Sequence, residues 1–209
     1  MAAQQRRSGR TQAVSALKRS LILAAARKVF DRVGLEGASL RAIAAEAGYT
    51  PAALYFHFDS KEAIYAEALQ ASLGHLKHTV DKAVARSSDP RERLRAAALA
   101  FFTFYAENPQ DLDLGFYLFR GGMKPKGLGR KRNEELNAGL AASLRPIADA
   151  AEALGVPASA ANVLMVELFA HATGLLLLAH TGRIRMFGVS ASALMTRFVE
   201  EKIARLGTA

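Results

Sequence analysis

The chain has 209 residues, 51% of them apolar, enough to bury the core of one large domain or two small ones; with no cysteine it excludes disulfides, thiolate metal sites and cysteine nucleophiles. A formal net charge of +9 favours a polyanionic partner, nucleic acid first, although solvated lysines and arginines also serve solubility. The excess begins at the start, where residues 1–20 hold Arg6, Arg7, Arg10, Lys18 and Arg19 and no acid.

Residues 1–14 lack the continuous apolar run of a signal peptide, so they read as a basic flexible arm and the expected location is cytoplasmic. From there on, apolar residues recur at helical spacing and alanine and leucine dominate, which predicts an all-α fold of about nine helices. The first spans about Ala16 to Val33, with Leu21, Ala24, Ala25, Val29 and Phe30 inward. A short one follows from Leu40 to Ala47, a third from Pro51 to Phe58, and a long fourth begins at Lys61. Further helices are predicted near 61–86, 90–107, 110–120, 130–153, 158–181 and 190–206. The most apolar stretch, Ala161 to Ala179, is interrupted by Asn162, Glu167, His171 and Thr173, so it reads as a buried helix with no membrane partner.

The second and third helices carry the functional signal. Ser39 is a good N-cap for the second, Gly48 supplies a sharp turn, Thr50 caps the third, and Pro51 takes its first position, where a missing N–H does no harm. Two short helices about a tight glycine turn make a helix-turn-helix. The alanines at 52 and 53 then permit close approach to base edges in a major groove, while Leu54 and Phe58, one turn apart, face inward. Tyr55 can reach a phosphate, His57 lies beside the following turn, and Lys61 at a helix start can hold a phosphate.

The run ILAAARKVFDRVGLEGASLRAIAAEAG, the turn and helix YTPAALYFHF, and the closing DSKEAIYAEAL resemble the TetR family of bacterial transcription regulators over about Ser20 to Leu69. The resemblance implies that Ser39, Thr50, Tyr55, His57 and Lys61 touch the DNA backbone, and that Arg41, Pro51, Ala52 and Ala53 face base edges. Arg41 is the best base reader, since a guanidinium bonds guanine O6 and N7 together. Tyr49, where many relatives carry valine, departs from the pattern.

Beside the basic arm (1–14) read from composition, the family implies a DNA-binding domain (15–60) and a ligand-binding and dimerisation domain (61–209). It implies a homodimer formed through the helices near 158–181 and 190–206. Their face of Val163, Val166, Phe169, Ala170, Thr173, Gly174 and Leu177, continued by Leu194, Phe198 and Ile203, is apolar and small enough for that. The function implied is a ligand-responsive regulator, a repressor released from a palindromic double-stranded DNA operator by a small, largely apolar effector.

Candidate effector contacts are Phe101, Phe102, Phe104, Tyr105, Phe116, Tyr117, Phe119, Met123, Met165, His171 and Leu175, set against the bland reading that an aromatic stripe is plain core. The segment Arg120 to Arg132, with six basic residues and four glycines, is expected as a positive loop, either solvated or touching an anion.

Two other classes remain open. A nonspecific DNA-binding protein would satisfy the charge alone. An enzyme would need convergent titratable groups, and the helical pairs His75/His78 with Asp81, and Glu167/His171, are metal candidates lacking a further ligand. No nucleotide-binding glycine motif or nucleophile elbow is present, so no enzyme, cofactor or metal is expected.

Overall fold

In a computed structural model of the chain, residues 2–116 and 128–206 are described, with side chains from Ala13 onward and excepting Phe116. Among them are nine α-helices, one 3₁₀ turn and no strand, so the all-α expectation holds. The helices are α1 Ala2–Gly37, α2 Leu40–Ala47, α3 Pro51–Tyr55, α4 Lys61–Val84, α5 Pro90–Glu107, α6 Pro109–Phe116, α7 Gly129–Ala153, α8 Ala158–His180 and α9 Ala191–Arg205, with the 3₁₀ turn at Arg183–Phe187.

Three boundaries differ from the sequence expectation. The first helix continues back to Ala2, across the stretch expected as an arm, because alanine, glutamine and arginine there are strong helix formers and Ser8 and Gly9 alone do not break the run. It bends at Gly34, whose φ of 71° and ψ of 175° are non-helical. The third helix stops at Tyr55, and Phe56 and His57 continue as a turn whose His57 and Phe58 N–H groups both donate to the Leu54 carbonyl. At the end of the basic segment, Gly129 to Arg132 form the first turn of α7.

The chain divides into two compact units, Met1–Ala71 with Asp113–Asn133, and Ser72–Leu112 with Glu134–Ala209. The first unit takes in about three turns of α4 at ~3.6 residues per turn. Its core is Ile22, Val29, Ile43, Leu54, Phe58 and Ile64, none more than 3% exposed. Phe30 meets Tyr65 edge to face at 5.7 Å, and the buried Tyr65 hydroxyl donates to the Leu114 carbonyl at 2.5 Å. A buried tyrosine hydroxyl needs such a partner, because desolvation without one is costly.

The second unit packs α5, α8 and α9 around Leu94, Phe101, Tyr105, Leu168, Leu176, Met195 and Val199, all buried. Asp89 and Pro90 start α5 by the same cap-then-proline logic as Thr50 and Pro51. Charged links join α5 to α9. The Arg95 guanidinium forks onto Glu200 at 2.5 and 2.7 Å, holding that carboxyl below the usual carboxylate range, and Arg91 donates to the Ile203 carbonyl at 3.1 Å.

The corner between α2 and α3 is a Schellman motif. The Gly48 N–H donates to the Ala45 carbonyl at 3.2 Å and the Tyr49 N–H to the Ala44 carbonyl at 2.9 Å. This geometry requires Gly48 at φ 70°, a left-handed conformation that a Cβ disfavours. Nothing lies within 4 Å of where that Cβ would stand, so substitution costs backbone strain and no clash. Gly48→Ala is therefore expected to lower urea-unfolding stability by about 1–2 kcal/mol, and Gly48→Asn by less. Equal stability of the glycine and alanine proteins would contradict this account of the turn.

Candidate nucleic-acid interface

Two side-chain caps fix the helix-turn-helix. Ser39, with extended φ and ψ of −133° and 153°, accepts the Ala42 N–H on its Oγ at 3.1 Å. Thr50 accepts the Ala53 N–H on its Oγ1 at 3.3 Å, and Pro51 follows in the first turn. Each cap satisfies an N–H that the helix itself leaves without an acceptor. Ile43 and Ala44 of α2 and Leu54 of α3 are fully buried, which turns the opposite face of both helices outward.

That outward face collects Arg41, Thr50, Pro51, Ala52 and Tyr55, all exposed, with Ser39 exposed beside them and Ala53 and His57 half-buried. Arg41 makes no hydrogen bond or ion pair with any described residue. The only acid between residues 40 and 58 is Glu46, which is drawn back toward Lys28 at 3.6 Å and Arg32 at 3.5 Å on α1. The face is therefore free of uncompensated negative charge, the condition for approaching a phosphate backbone.

Sequence reasoning missed one member of this face. Phe56 is 88% exposed, more than Tyr55 at 60%. The signal was available: once Leu54 and Phe58 take the core, the residue midway between them must point the opposite way at ~100° per residue. An aromatic ring so exposed beside the alanines is apolar surface of the kind that meets thymine methyls or sugars.

The residues behind the face hold it to α4. Lys61, assigned to phosphate on sequence, donates its ammonium to the carbonyls of Leu35, Glu36 and Ala38 at 2.9, 3.0 and 3.0 Å. An ammonium has three N–H donors, and all are engaged by the α1–α2 corner, leaving none for a phosphate in this arrangement. The cap of α4 is instead Ser60, whose Oγ accepts the Ala63 N–H at 3.1 Å. Arg19 of α1 forks onto Glu67 of α4, with Nε to Oε1 at 2.5 Å and Nη2 to Oε2. Its Nη1 donates to the His57 carbonyl at 3.0 Å, and its guanidinium lies 4.3 Å from the centre of the Phe58 ring. Arg27 adds a bond to the Ala68 carbonyl at 3.0 Å.

The residues expected to meet an effector divide. Phe101, Phe104 and Tyr105 of α5 are buried and pack edge to face: Phe101 and Phe104 each lie 5.2 Å from Tyr105, and Phe101 lies 5.7 Å from Phe169 of α8. Burial, with Asp111 adding to it, raises the Tyr105 hydroxyl above its ordinary pKa. Leu175 is buried and Met165 half-buried. His171, expected to join Tyr105 or Tyr117 as a polar contact, instead stacks on Phe198 of α9 with ring centres 3.8 Å apart. Burial and Arg197 lower its pKa. Tyr117, Phe119, Met123 and the segment 117–127, together with the side chains of Phe116, Arg6, Arg7 and Arg10, lie outside the described residues.

A surface groove of about 550 Å³, lined by Lys77, Asp81, Arg93, Arg145, Pro146 and Asp149 among others, shares no residue with the expected effector set. Among the described residues, no group of three or more His, Asp or Glu side chains is placed to hold a metal.

The helices expected to dimerise leave an apolar face uncovered. On α8, Val163 and Val166 are 60% and 56% exposed, with Ala170, Gly174 and Leu178 exposed along the same side. Among the described residues α8 is the one helix long and apolar enough to cross a membrane by length and composition, and 28% of its most apolar window is buried. On α9, Ile203 is buried within its own unit, so it does not extend that face, whereas Leu194 and Phe198 are half-buried.

A capped pair of short helices, whose one acid, Glu46, is paired with Lys28 and Arg32, and whose second helix is exposed, makes a helix-turn-helix. Residues 22–68 match the family model described as bacterial regulatory proteins, tetR family. It is 38% identical over 99 residues to the HTH-type transcriptional activator FasR of Mycolicibacterium smegmatis, a match covering 47% of this chain and 45% of FasR, less than half of that relative's length.

The fold resembles that of FadR from Bacillus subtilis, solved in complex with stearoyl-CoA, with a TM-score of 0.68 at 15% identity over 87% of this chain and 95% of that one. It also resembles a TetR family transcription regulator from Shewanella sp. PV-4, with a TM-score of 0.64 at 18% identity over 87% and 95% of the two chains. The family and these relatives are regulators, not enzymes.

Replacing Lys61 separates its two readings. With the Glu36 and Ala38 carbonyls losing the ammonium and Leu35 keeping only the Ala38 N–H, Lys61→Met is expected to lower stability by about 2–3 kcal/mol in urea unfolding. The slope of log affinity for DNA against log salt should stay unchanged. A lysine bound to phosphate would instead take about 0.9 off that slope per contact, with little change in stability.

Proposed function

We propose that this protein is a dimeric, sequence-specific DNA-binding regulator of transcription, acting as a repressor that a small, largely apolar effector releases from a palindromic operator. The observation that carries the reading is the acid-free face of α2 and α3, held outward by the Ser39 and Thr50 caps and by burial of Leu54. On this reading Arg41, exposed and unpaired among the described residues, reads a guanine, while Pro51, Ala52, Ala53 and Phe56 give apolar contact and close approach. Ser39, Thr50, Tyr55 and His57 position the helix on phosphates. Lys61 keeps the reading head in shape.

A second copy of the chain covers the exposed side of α8, where Val163 and Val166 stand out at 60% and 56% exposure. Burying that strip against its symmetry mate removes apolar surface from water, and small residues such as Ala170 and Gly174 let two helices approach closely. Dimer formation then sets the two recognition helices about 34–36 Å apart, one turn of B-DNA. A protein that works on operator DNA belongs in the cytoplasm.

The effector class follows from the rings of α5. Phe101, Phe104 and Tyr105, with Phe169 of α8, form an apolar aromatic cluster, and FadR was solved with stearoyl-CoA. We assign the effector as an acyl-chain compound. An effector that prefers a spacing unlike that of DNA lowers operator affinity by its differential affinity for the two states. FasR is named an activator, and the same docking serves either sign, since the position of the operator relative to the promoter decides it.

Panels of single-base variants of a duplex selected by the protein from random DNA test this division of roles. Arg41→Ala should flatten preference at one position per half-site, a discrimination of about 1–3 kcal/mol, while Tyr55→Ala should weaken every duplex alike. Stearoyl-CoA should loosen the wild-type complex about tenfold, the effect of ~1.4 kcal/mol of coupling. Uniform losses for both variants, or a complex indifferent to acyl-CoA, would overturn the corresponding assignment.

A further inference from the structure

The Arg19 side chain is not on the DNA-facing surface and is not explained by docking alone. It touches the recognition helix and α4 at once: two donors lie on Glu67 of α4, one on the carbonyl of His57 just past the end of α3, and the guanidinium plane stands over Phe58. The His57 carbonyl lies in the turn that follows α3, where it accepts from Arg19 outside the helix's own ladder. The bond to Glu67 raises the arginine's pKa further, so the charge is permanent.

The ion pair is half-open to solvent, with side-chain exposures of 42% and 33%, which limits what it adds to stability. Its geometry is another matter. A planar fork bonded to a carboxylate on one helix and a carbonyl at the end of another fixes their relative direction in a way a flexible lysine does not.

We propose that Arg19 is a positioning residue that sets the angle of the recognition helix against α4 through Glu67, and that operator selectivity depends on this clamp. The proposal rests on the DNA-binding reading above. Glu67 supplies the decisive variant, because Glu67→Gln breaks the charged fork while making the protein more positive. If charge alone mattered, DNA would bind more tightly. If Arg19 sets the helix angle, the selected duplex must bind more weakly while random duplex does not.

The test uses the full chain, a duplex recovered by the wild-type protein from a random pool, and a scrambled duplex of the same composition. Glu67→Gln and Arg19→Lys are each expected to lose about tenfold or more in affinity for the selected duplex, the size of one lost base contact, with scrambled-duplex affinity equal or slightly higher. The paired variant Arg19→Met with Glu67→Met replaces the ions by packing side chains of similar length and guards against simple unfolding. It should melt near the wild-type temperature and still lose selectivity.

Tighter or unchanged binding of the selected duplex by Glu67→Gln overturns the clamp alone. Parallel losses on both duplexes, following a fall in melting temperature, also overturn it. Failure of the wild-type chain to recover any preferred duplex overturns the functional reading as well, and so is distinguishable from failure of the clamp.

Discussion

Three carbonyls converging on one ammonium hold the first unit in its working shape. Leu35, Glu36 and Ala38 end α1 and lead into α2, and Lys61 opens α4, so the bonds of 2.9–3.0 Å tie the corner of the helix-turn-helix to the helix that follows it. After the bend at Gly34 the corner has few backbone donors of its own, Leu35 taking the Ala38 N–H at 3.3 Å, and the ammonium supplies the rest. Once the corner is fixed, the Ser39 cap sets where α2 begins, the Gly48 turn sets where it ends, and burial of Leu54 sets which side of α3 faces out. The outward face of α2 and α3 is the remainder of these constraints.

The signals legible in the sequence were local ones. Ser39, Gly48, Thr50 and Pro51 act within four residues of their own positions, and the structure uses each as its chemistry suggests. Leu54 and Phe58 were legible because one helical turn separates them. Tyr49 takes its place from the same local logic, since the residue after a left-handed glycine donates back to the helix it leaves.

What escaped the sequence is long-range. The partners of Lys61 lie 23 to 26 residues away, and those of Arg19 lie 38 and 48 away; no spacing rule reaches that far. His171 had the right neighbours in sequence for a pocket, but its side of α8 meets Phe198 of α9, while Phe169 meets the rings of α5. Charge was the least informative signal at residue level. Arg19 and Arg95 are taken up by Glu67 and Glu200 on other helices, whereas Arg145 pairs with Asp149 and Glu152 within its own helix, so a basic residue's place in the sequence does not say what its charge meets. Arg41, in contrast, remains available on the surface that faces outward.

The central claim is that this face selects a sequence, and competition between duplexes measures it most directly. The wild-type chain is bound to a labelled selected duplex at physiological salt and challenged with unlabelled selected or scrambled DNA. The account predicts that scrambled competitor must be present at about 10³-fold higher concentration to displace the protein equally. Equal displacement by the two competitors would contradict it and leave a protein that holds DNA by charge alone.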